Sequence, residues 1–383
     1  MDFTLSPSQQ QVQDSARQFA QEKIQPQAAA LDRQGRHPAE ILAGLGELGF
    51  MGLALPEAYG GAGKDFVSYV LAVKEIAQAC TSCALIMHVN HTLFAGTVNS
   101  WGTEAQKLKY LPPVAQGHKM ACFALTEAEA GSDPSRLQCT AIRQGQDYIL
   151  TGEKKFVTSG HVASYGLVAA STAPELGAKG ISAFIVDLED NPGVTVGPLE
   201  DKLGLRATGT VDLIFDNVRI PGTNLLGGEN QGLKVMLRTL DDGRIGTAAQ
   251  AVGLGRAVLT EALVYARRRE QFGQAIAQFQ AIQWKLADIA TELEAAELLT
   301  LRAAWRKDQG LPYDTGAAMA KLFATDVAMR AAVEGVQIMG GYGYLKDYPM
   351  ERHLRDAKGA QIYEGTNEIM RLIIARNLFR DKI

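Results

Sequence analysis

The sequence has few cysteines, no excess of basic residues and no long apolar run, and each absence excludes a class of protein. Four cysteines in 383 residues are too few for the disulfide framework of a small secreted domain. With 38 basic and 42 acidic residues, the chain lacks the positive surface typical of nucleic-acid-binding proteins. No apolar segment approaches the ~20 residues of a membrane-spanning helix, which predicts no membrane insertion.

The N-terminus has neither a charged-then-apolar secretion signal nor an arginine-rich transit pattern, which predicts a cytoplasmic location. The composition, 46% hydrophobic and 21% charged, is typical of a globular protein that is long enough for two or three hydrophobic cores. With a formal net charge of -4, the protein must bind any anionic ligand through local groups.

Three sequence patterns typical of other cofactor sites were considered, and each is disfavoured by its surroundings or by its absence. Cys80 and Cys83 form a C-x-x-C inside an apolar helical pattern and have no second pair, which disfavours a metal or redox site. The glycines of 44–49 match G-x-G-x-x-G but follow a helical segment instead of a strand, which disfavours a Rossmann domain. No glutamate has a histidine three residues later, as a di-iron bundle requires. We therefore predict no metal site.

Hydrophobic periodicity divides the chain into three parts and predicts an α+β fold. Helical spacing in 1–118 predicts a helical N-terminal domain that begins at Ser6 and runs to about Gly117, with the last apolar spacing ending at Pro112 and Pro113. Short apolar or alternating segments in 119–228 predict a middle β-barrel or β-sandwich domain. The predicted strands are 120–125, 138–142, 148–150, 165–170, 181–187 and 211–215.

Long amphipathic helices return in 229–383 and suit an antiparallel four-helix bundle. Two apolar stripes carry this prediction. They consist of Ile282, Leu286, Ile289, Leu293 and Ala296, and of Met319, Leu322, Phe323 and Val327.

A single carboxylate near the C-terminus, Glu364, stands between an apolar approach and a Gly-Thr-Asn turn. Thr366 or Asn367 can cap the helix that follows. A carboxylate held there and partly desolvated could act as a general base. The local sequence fits equally well a solvated glutamate that the helix dipole favours.

The segment Ile362-Tyr-Glu-Gly-Thr-Asn-Glu-Ile369 resembles the catalytic-base motif of the acyl-CoA dehydrogenase family. In that family the glutamate removes the α-proton of an acyl-CoA thioester, so the resemblance assigns this role to Glu364. It covers essentially the whole chain in order and implies the family's fold: a helical N-domain, a middle β-domain and a C-terminal bundle.

Four further segments resemble FAD-contacting motifs of the family. Phe123-Ala-Leu-Thr-Glu-Ala-Glu-Ala-Gly-Ser-Asp133 has Ala128 where proline is usual, and Gly152-Glu-Lys-Lys-Phe-Val-Thr158 has Phe156 where tryptophan is frequent. Arg267-Arg-Arg-Glu-Gln-Phe-Gly273 and Gln337-Ile-Met-Gly-Gly341 resemble segments that hold the FAD of a neighbouring subunit, which implies an oligomer, usually a tetramer. The implied FAD contacts are Phe123, Leu125, Thr126, Gly131, Ser132, Phe156, Thr158, Arg269, Phe272, Phe279, Gln280, Gln337, Gly340, Gly341, Thr366 and Glu368.

Leu240-Asp-Asp-Gly-Arg244 resembles the motif that lines the acyl-CoA cavity, although a capped helix start explains it equally well locally. In one branch of the family the catalytic glutamate lies in this segment. Here Gly243 occupies that position, so the resemblance leaves Glu364 as the base. The implied substrate contacts are Ser132, Asp241, Arg244 and Gly365.

The resemblance implies FAD-dependent oxidation of an acyl-CoA to the trans-2-enoyl-CoA, with electrons passed to an electron-transferring flavoprotein. The motifs are most similar to those of short-chain (butyryl-CoA) and short branched-chain members. Alternatives are an acyl-CoA oxidase, an enoyl-CoA reductase, or a non-catalytic interaction protein with the same fold. Phe94 either closes the far end of the acyl cavity or packs in the helical core.

Overall fold

The computed structural model describes residues 4–379, with helices at both ends and a β-sheet between them. Ser6 caps the first helix, as predicted, and exchanges hydrogen bonds with Gln9 in a capping box. The N-terminal helices are α1 (Pro7–Phe19), α2 (Ala28–Gln34), α3 (Ala39–Glu47), α4 (Phe66–Ala79), α5 (Thr81–His88), α6 (Thr97–Trp101) and α7 (Glu104–Ala115). No helix within the described residues is both long and apolar enough to cross a bilayer.

A π-helix, Val89–Gly96, joins α5 to α6, so one helical run extends from residue 81 to residue 101. Nearly every side chain of α4, α5 and the π-helix is buried. The last helix of this part, α7, continues through Pro112 and Pro113 and ends at Ala115, close to the predicted end near Gly117. Neither proline has a backbone N–H, so α7 lacks two of its hydrogen bonds there, and the backbone N–H of Gln116 closes the last turn on the carbonyl of Pro112 (3.1 Å).

The middle part is an eight-stranded sheet with the order β6-β7-β3-β2-β4-β5-β8, in which β1 pairs in parallel with β4. All six predicted strands are present. Two further strands, Val194–Val196 and Leu225–Leu226, were missed because segments of three and two residues are too short to show a recognisable pattern. Residues of β4 alternate between two cores, with Leu167 and Ala169 in one and Val168 and Ala170 in the other. The strands are β1 (Met120–Ala124), β2 (Thr140–Gln144), β3 (Asp147–Val157), β4 (Ala163–Ser171), β5 (Ile181–Asp187), β6 (Val194–Val196), β7 (Val211–Ile220) and β8 (Leu225–Leu226).

The C-terminal part is helical: α8 (Gly232–Arg268), α9 (Gln280–Asp308), α10 (Asp314–Met339), α11 (Met350–Ala360) and α12 (Asn367–Leu378). A two-stranded hairpin of β9 (Glu270–Gln271) and β10 (Gln274–Ala275) connects α8 to α9. The α9 stripe is confirmed, since Leu286, Ile289 and Leu293 are buried.

The predicted stripe of α10 was largely wrong. Met319, Leu322 and Phe323 are only half-buried, and only Val327 of that set lies in the core. The buried face instead consists mainly of alanines such as Ala320 and Ala324. Small side chains allow α10 to pack closely between α8 and α9, which explains why a search for large apolar residues selected another face.

Candidate active site

Glu364 lies at the junction of the three parts, in the loop between α11 and α12. Its backbone is left-handed (φ 53°), and its side chain is only 6% exposed. Thr366 is the N-cap of α12 and accepts a hydrogen bond from the backbone N–H of Ile369. The alternative of a solvated helix-start glutamate is therefore wrong, because the loop turns the carboxylate into the protein.

The two oxygens of the Glu364 carboxylate differ in their surroundings. Oε1 lies 2.7 Å from Nε2 of His88, at the end of α5. Oε2 is buried and has no hydrogen-bond partner among the described residues. One oxygen is thus held in place while the other is available to a ligand, which is the arrangement that a general base requires.

Gly243 of α8 makes room for this carboxylate. A methyl group built on Gly243 would overlap Oε2 of Glu364 and lie 2.8 Å from Cδ2 of Leu93. The position where one branch of the family places its base thus adjoins the carboxylate of Glu364, so one site can accommodate a carboxylate from either segment.

Lys321 of α10 holds the loop that carries Glu364 through two hydrogen bonds. Its Nζ donates to the carbonyl of Gly365 (2.8 Å) and to Oδ1 of Asn367 (2.9 Å). Burial lowers the pKa of Lys321 from 10.5 to about 8, although the nearby Glu364 carboxylate opposes that shift. Asn367 also donates to Asp326 (2.7 Å), so a polar network fixes the loop on both sides of the carboxylate.

Asp241 and Arg244 lie in the third and fourth turns of α8, so the prediction that they open this helix was wrong. The Arg244 guanidinium donates to Asp241 Oδ1 (2.5 Å), and its Nε is buried without a partner. Burial raises the pKa of Asp241 and lowers that of Arg244. The free Nε–H of this buried arginine, beside Glu364, can donate to a polar group of a ligand.

Apolar side chains from several elements form a small cluster near the carboxylate. Leu85, Val89 and Leu93 supply one side of it, at four-residue spacing along the helical run. Leu205, Phe123, Leu240 and Tyr363 complete the cluster. Phe94 lies instead in the neighbouring core, fully buried and stacked on Tyr165 at 6.2 Å. Leu93, and not Phe94, therefore packs beside Glu364.

The first group of FAD candidates lies on the loop that follows β1 and on the adjacent end of β3. The backbone N–H of Lys155 donates to the carbonyl of Thr126 (2.8 Å), which ties the loop after β1 to β3. Phe156 has a left-handed backbone (φ 58°), and its ring is 65% exposed. Ser132 and Gly131 are exposed on the same loop, and a Cβ atom on Gly131 would meet nothing within 4 Å.

A buried ion pair between Lys154 and Glu127 holds the loop after β1 against β3. Nζ of Lys154 lies 2.6 Å from Oε1 of Glu127 and 3.2 Å from the carbonyl of Leu125. Glu127 also accepts from the backbone N–H of Cys139 (3.1 Å). Both charges are thus paired and hydrogen-bonded, which a buried ion pair requires.

The second group lies on the α8–α9 hairpin and at the end of α10. The Arg269 guanidinium stacks 5.7 Å from the ring of Tyr342, just after Gly340 and Gly341. The Phe272 ring is 94% exposed and meets Phe279 edge-on at 6.1 Å. Gln280 and Gln337 are also exposed here, whereas Glu368 and Thr366 lie at the start of α12.

Sequence reasoning missed His88, Lys321 and the Lys154–Glu127 pair. A signal existed for two of them, because His88 interrupts the apolar run of α5 and Lys321 lies among the alanines of α10. No group of three or more metal-ligating side chains occurs in residues 4–379. The four cysteines are buried thiols, and Cys80 and Cys83 form no disulfide.

Family models match three consecutive segments of the chain. They describe the acyl-CoA dehydrogenase N-terminal domain (residues 6–118), middle domain (122–218) and C-terminal domain (230–379). A short-chain specific acyl-CoA dehydrogenase of Clostridium acetobutylicum is 42% identical over 99% of this chain and 100% of its own length.

Two solved structures are similar over the whole chain. The butyryl-CoA dehydrogenase of Megasphaera elsdenii has a TM-score of 0.97 and 42% identity, covering 99% of this chain and all of that one. A chain in a structure described as the electron transferring flavoprotein of Acidaminococcus fermentans has a TM-score of 0.98 and 45% identity, with full coverage of both chains.

The order of helices, sheet and helices, with these matches, defines an oxidoreductase that acts on a CH–CH bond. The chain belongs to the acyl-CoA dehydrogenase family.

Proposed function

We propose that this enzyme oxidises a short-chain or short branched-chain acyl-CoA to the trans-2-enoyl-CoA, with Glu364 as the base. The observation that carries this proposal is the carboxylate itself: it is buried, fixed through Oε1 and free at Oε2. The apolar cluster beside it suits an acyl chain of limited length. The short-chain relative and the butyryl-CoA dehydrogenase structure support the substrate class.

In this proposal, Oε2 accepts the α-proton while the thioester carbonyl faces the loop. The backbone N–H of Glu364 donates to no backbone carbonyl within residues 4–379, so it is available to the carbonyl oxygen. Such a donor stabilises the enolate-like charge that develops as the proton leaves, and is worth about 3–4 kcal/mol. Arg244 and Asp241 supply further polar contacts for the substrate, together with Ser132 and Gly365.

The residues of the first group fit FAD. Phe156 presents an exposed aromatic ring from a strained backbone, beside the loop that carries Gly131 and Ser132. Phe123, Leu125, Thr126 and Thr158 belong to the same strands and loop and would hold the flavin. FAD supplies the two-electron acceptor that none of the protein's side chains can replace.

The second group fits the FAD of another subunit. Arg269, Phe272, Gln337 and Gly341 are exposed on the outer end of the bundle. A guanidinium and an open glycine turn suit a phosphate-bearing ligand. Phe279, Gln280, Gly340, Thr366 and Glu368 complete the proposed FAD contacts. We therefore propose a homo-oligomer, with a tetramer as the expected state, in which each flavin contacts two chains.

The proposed electron acceptor is an electron-transferring flavoprotein, an assignment supported by the Acidaminococcus fermentans structure. The cytoplasmic location stays a prediction. The test is an absorption spectrum of the purified protein before and after butyryl-CoA under anaerobic conditions. We expect a flavin spectrum that butyryl-CoA bleaches, and recovery on adding oxidised electron-transferring flavoprotein.

A colourless protein that FAD cannot reconstitute would contradict the proposal and favour a non-catalytic role. Rapid reoxidation of the reduced flavin by air alone would instead indicate an acyl-CoA oxidase. Reduction by an external donor followed by reduction of crotonyl-CoA, without the forward reaction, would indicate an enoyl-CoA reductase.

A further inference from the structure

His88 is fixed through both of its ring nitrogens. Nε2 lies 2.7 Å from Oε1 of Glu364, and the side chains of both residues are buried. On the opposite edge of the ring, Nδ1 lies 2.8 Å from the hydroxyl of Tyr69 and 2.9 Å from that of Thr92. The imidazole therefore connects the carboxylate to two hydroxyl groups that lie deeper in the protein.

The two hydroxyls allow the ring to be neutral or charged. Thr92 donates its own proton to the carbonyl of His88 (2.6 Å), so its oxygen offers a lone pair to Nδ1. When Nδ1 carries no proton, it accepts from the Tyr69 hydroxyl; when it is protonated, it donates to Thr92. In both states Nε2–H remains directed at Glu364.

The backbone of α8 is shaped for this pair. A methyl group on Gly246 would overlap Nδ1 of His88 and lie 3.1 Å from the Tyr69 hydroxyl. Gly243, one turn earlier, makes the matching space for Oε2 of Glu364. The histidine and the carboxylate thus lie side by side against two glycines of one helix, in a space that larger residues would fill.

The helical run that carries His88 changes at that residue. The α-helix ends at His88, and the π-helix Val89–Gly96 follows with Thr92 in its first turn. Segments of π-helix are frequent at functional sites. The Thr92 hydroxyl reaches both the carbonyl and the ring of His88, four residues earlier in the chain.

We infer that His88 is a positioning residue for the base: it holds Oε1 of Glu364 and leaves Oε2 alone directed at the substrate. This inference rests on the proposed function. No proton moves from Glu364 to His88 in this inference. The α-proton stays on Oε2, while the bond from Nε2–H to Oε1 is kept.

Other charged and titratable groups face the pair. They are Lys321 of α10, Arg244 and Asp242 of α8, Tyr69 of α4, Tyr363 of the loop and His91 of the π-helix. Burial lowers the pKa of His91 to about 3, so His91 stays neutral, and burial lowers that of Lys321 to about 8. Lys321 is present in the parent and in every His88 variant, so its ionisation affects their rates alike.

The experiment compares His88→Ala and His88→Gln, with His118→Gln as an exposed control. The rate of flavin reduction by butyryl-CoA is measured in single turnover from pH 5.5 to 9. We expect His88→Ala to lower this rate about tenfold or more. His88→Gln keeps an N–H donor for Oε1, so it should restore much of the rate that His88→Ala loses. The control should match the parent.

A second measurement is independent of activity. Nitrogen-15 NMR of labelled histidine follows the ring nitrogens of His88, identified by their loss in His88→Gln, in the holoenzyme and in Glu364→Gln. Because Nε2–H donates to Oε1 of Glu364, replacing that carboxylate should shift the Nε2 resonance of His88 and leave those of the other five histidines nearly unchanged. An unchanged Nε2 resonance in Glu364→Gln would overturn the positioning role, even if His88→Ala fails to fold.

The outcomes separate the two proposals. If Glu364→Gln abolishes flavin reduction while both His88 variants keep the parent's rate and pH profile, the positioning role is wrong and the proposed base stands. If Glu364→Gln keeps near-parent flavin reduction, the proposed base itself is wrong. A rate loss in His88→Ala that His88→Gln does not relieve, with an unchanged Nε2 resonance in Glu364→Gln, would indicate packing only.

Discussion

Gly243 and Glu364 meet in one small volume, because any Cβ atom on residue 243 would overlap Oε2 of the carboxylate. We predict that Gly243→Ala displaces the base and lowers the rate of flavin reduction by about tenfold or more. The matched control is Gly316→Ala in α10, whose new methyl would meet only Ala303, at 4.0 Å. It should raise the free energy of unfolding by up to about 1 kcal/mol and leave the rate unchanged. An active Gly243→Ala enzyme would mean that the carboxylate moves away during turnover.

Glu364→Gln keeps the size of the side chain but removes the proton acceptor. We expect a folded, yellow protein that binds acyl-CoA and reduces its flavin at least about 10²-fold more slowly. The control is Glu175→Gln, because Glu175 is exposed in the segment between β4 and β5. This variant should behave like the parent. Stopped-flow absorbance at the flavin band measures both, and near-parent reduction in Glu364→Gln would place the base elsewhere.

Arg269→Ala tests the contact that we propose between subunits. Its guanidinium is exposed and stacks on Tyr342 within the same chain. We expect FAD retention and oligomer size to fall together, since one side chain would serve a phosphate on a neighbouring chain. Gel filtration with flavin absorbance measures both quantities, with Arg268→Ala as the neighbouring control. A monomer that retains a full complement of FAD would contradict this prediction.

The acyl cavity gives a prediction that separates two adjacent residues. Leu93 lies in the cluster beside Glu364, whereas Phe94 lies in the neighbouring core. Leu93→Ala should shift kcat/KM from butyryl-CoA towards hexanoyl- and octanoyl-CoA, because each added methylene can gain up to about 0.8 kcal/mol. Phe94→Ala should keep the ranking and lower the free energy of unfolding by about 3–5 kcal/mol. The reverse pattern would identify Phe94 as the residue that limits chain length.

Asp356 gives a pH dependence of stability. Its buried carboxyl accepts from the backbone N–H of Leu205 (2.6 Å), and burial raises its pKa from 3.8 to about 7. Between these values the native state binds more protons than the unfolded chain. This contribution to stability is therefore complete below pH 3.8 and is lost as the pH rises through 7.

In Asp356→Asn, that fall in the free energy of unfolding between about pH 4 and 7 should be smaller than in the parent. Asp347→Asn changes a carboxylate that is 86% exposed and serves as the control. Urea unfolding at several pH values measures the difference. Parallel pH curves for the parent and Asp356→Asn would show that Asp356 ionises normally.

The sequence predicted the three-part order and singled out Glu364, but it revealed only part of what surrounds that carboxylate. Glu364 could be found because its motif is contiguous, and the strand of Val211 and Leu213 because its alternation is local. His88 could not be paired with Glu364, since 276 residues separate them and only the packing of α5 against the loop joins them. The alanine face of α10 was also missed. Close helix packing favours small side chains, whereas a search for hydrophobic periodicity gives more weight to large ones.

The left-handed backbone of Glu364 has an evolutionary consequence. A glutamate at φ 53° is less favourable than a glycine by roughly 1–2 kcal/mol. Substitution by glycine would thus relieve strain, and it would also remove a buried carboxylate oxygen that has no partner. Selection for stability alone would therefore favour replacing this glutamate. A lineage that no longer needed the reaction would therefore be expected to lose the glutamate early, while keeping the fold.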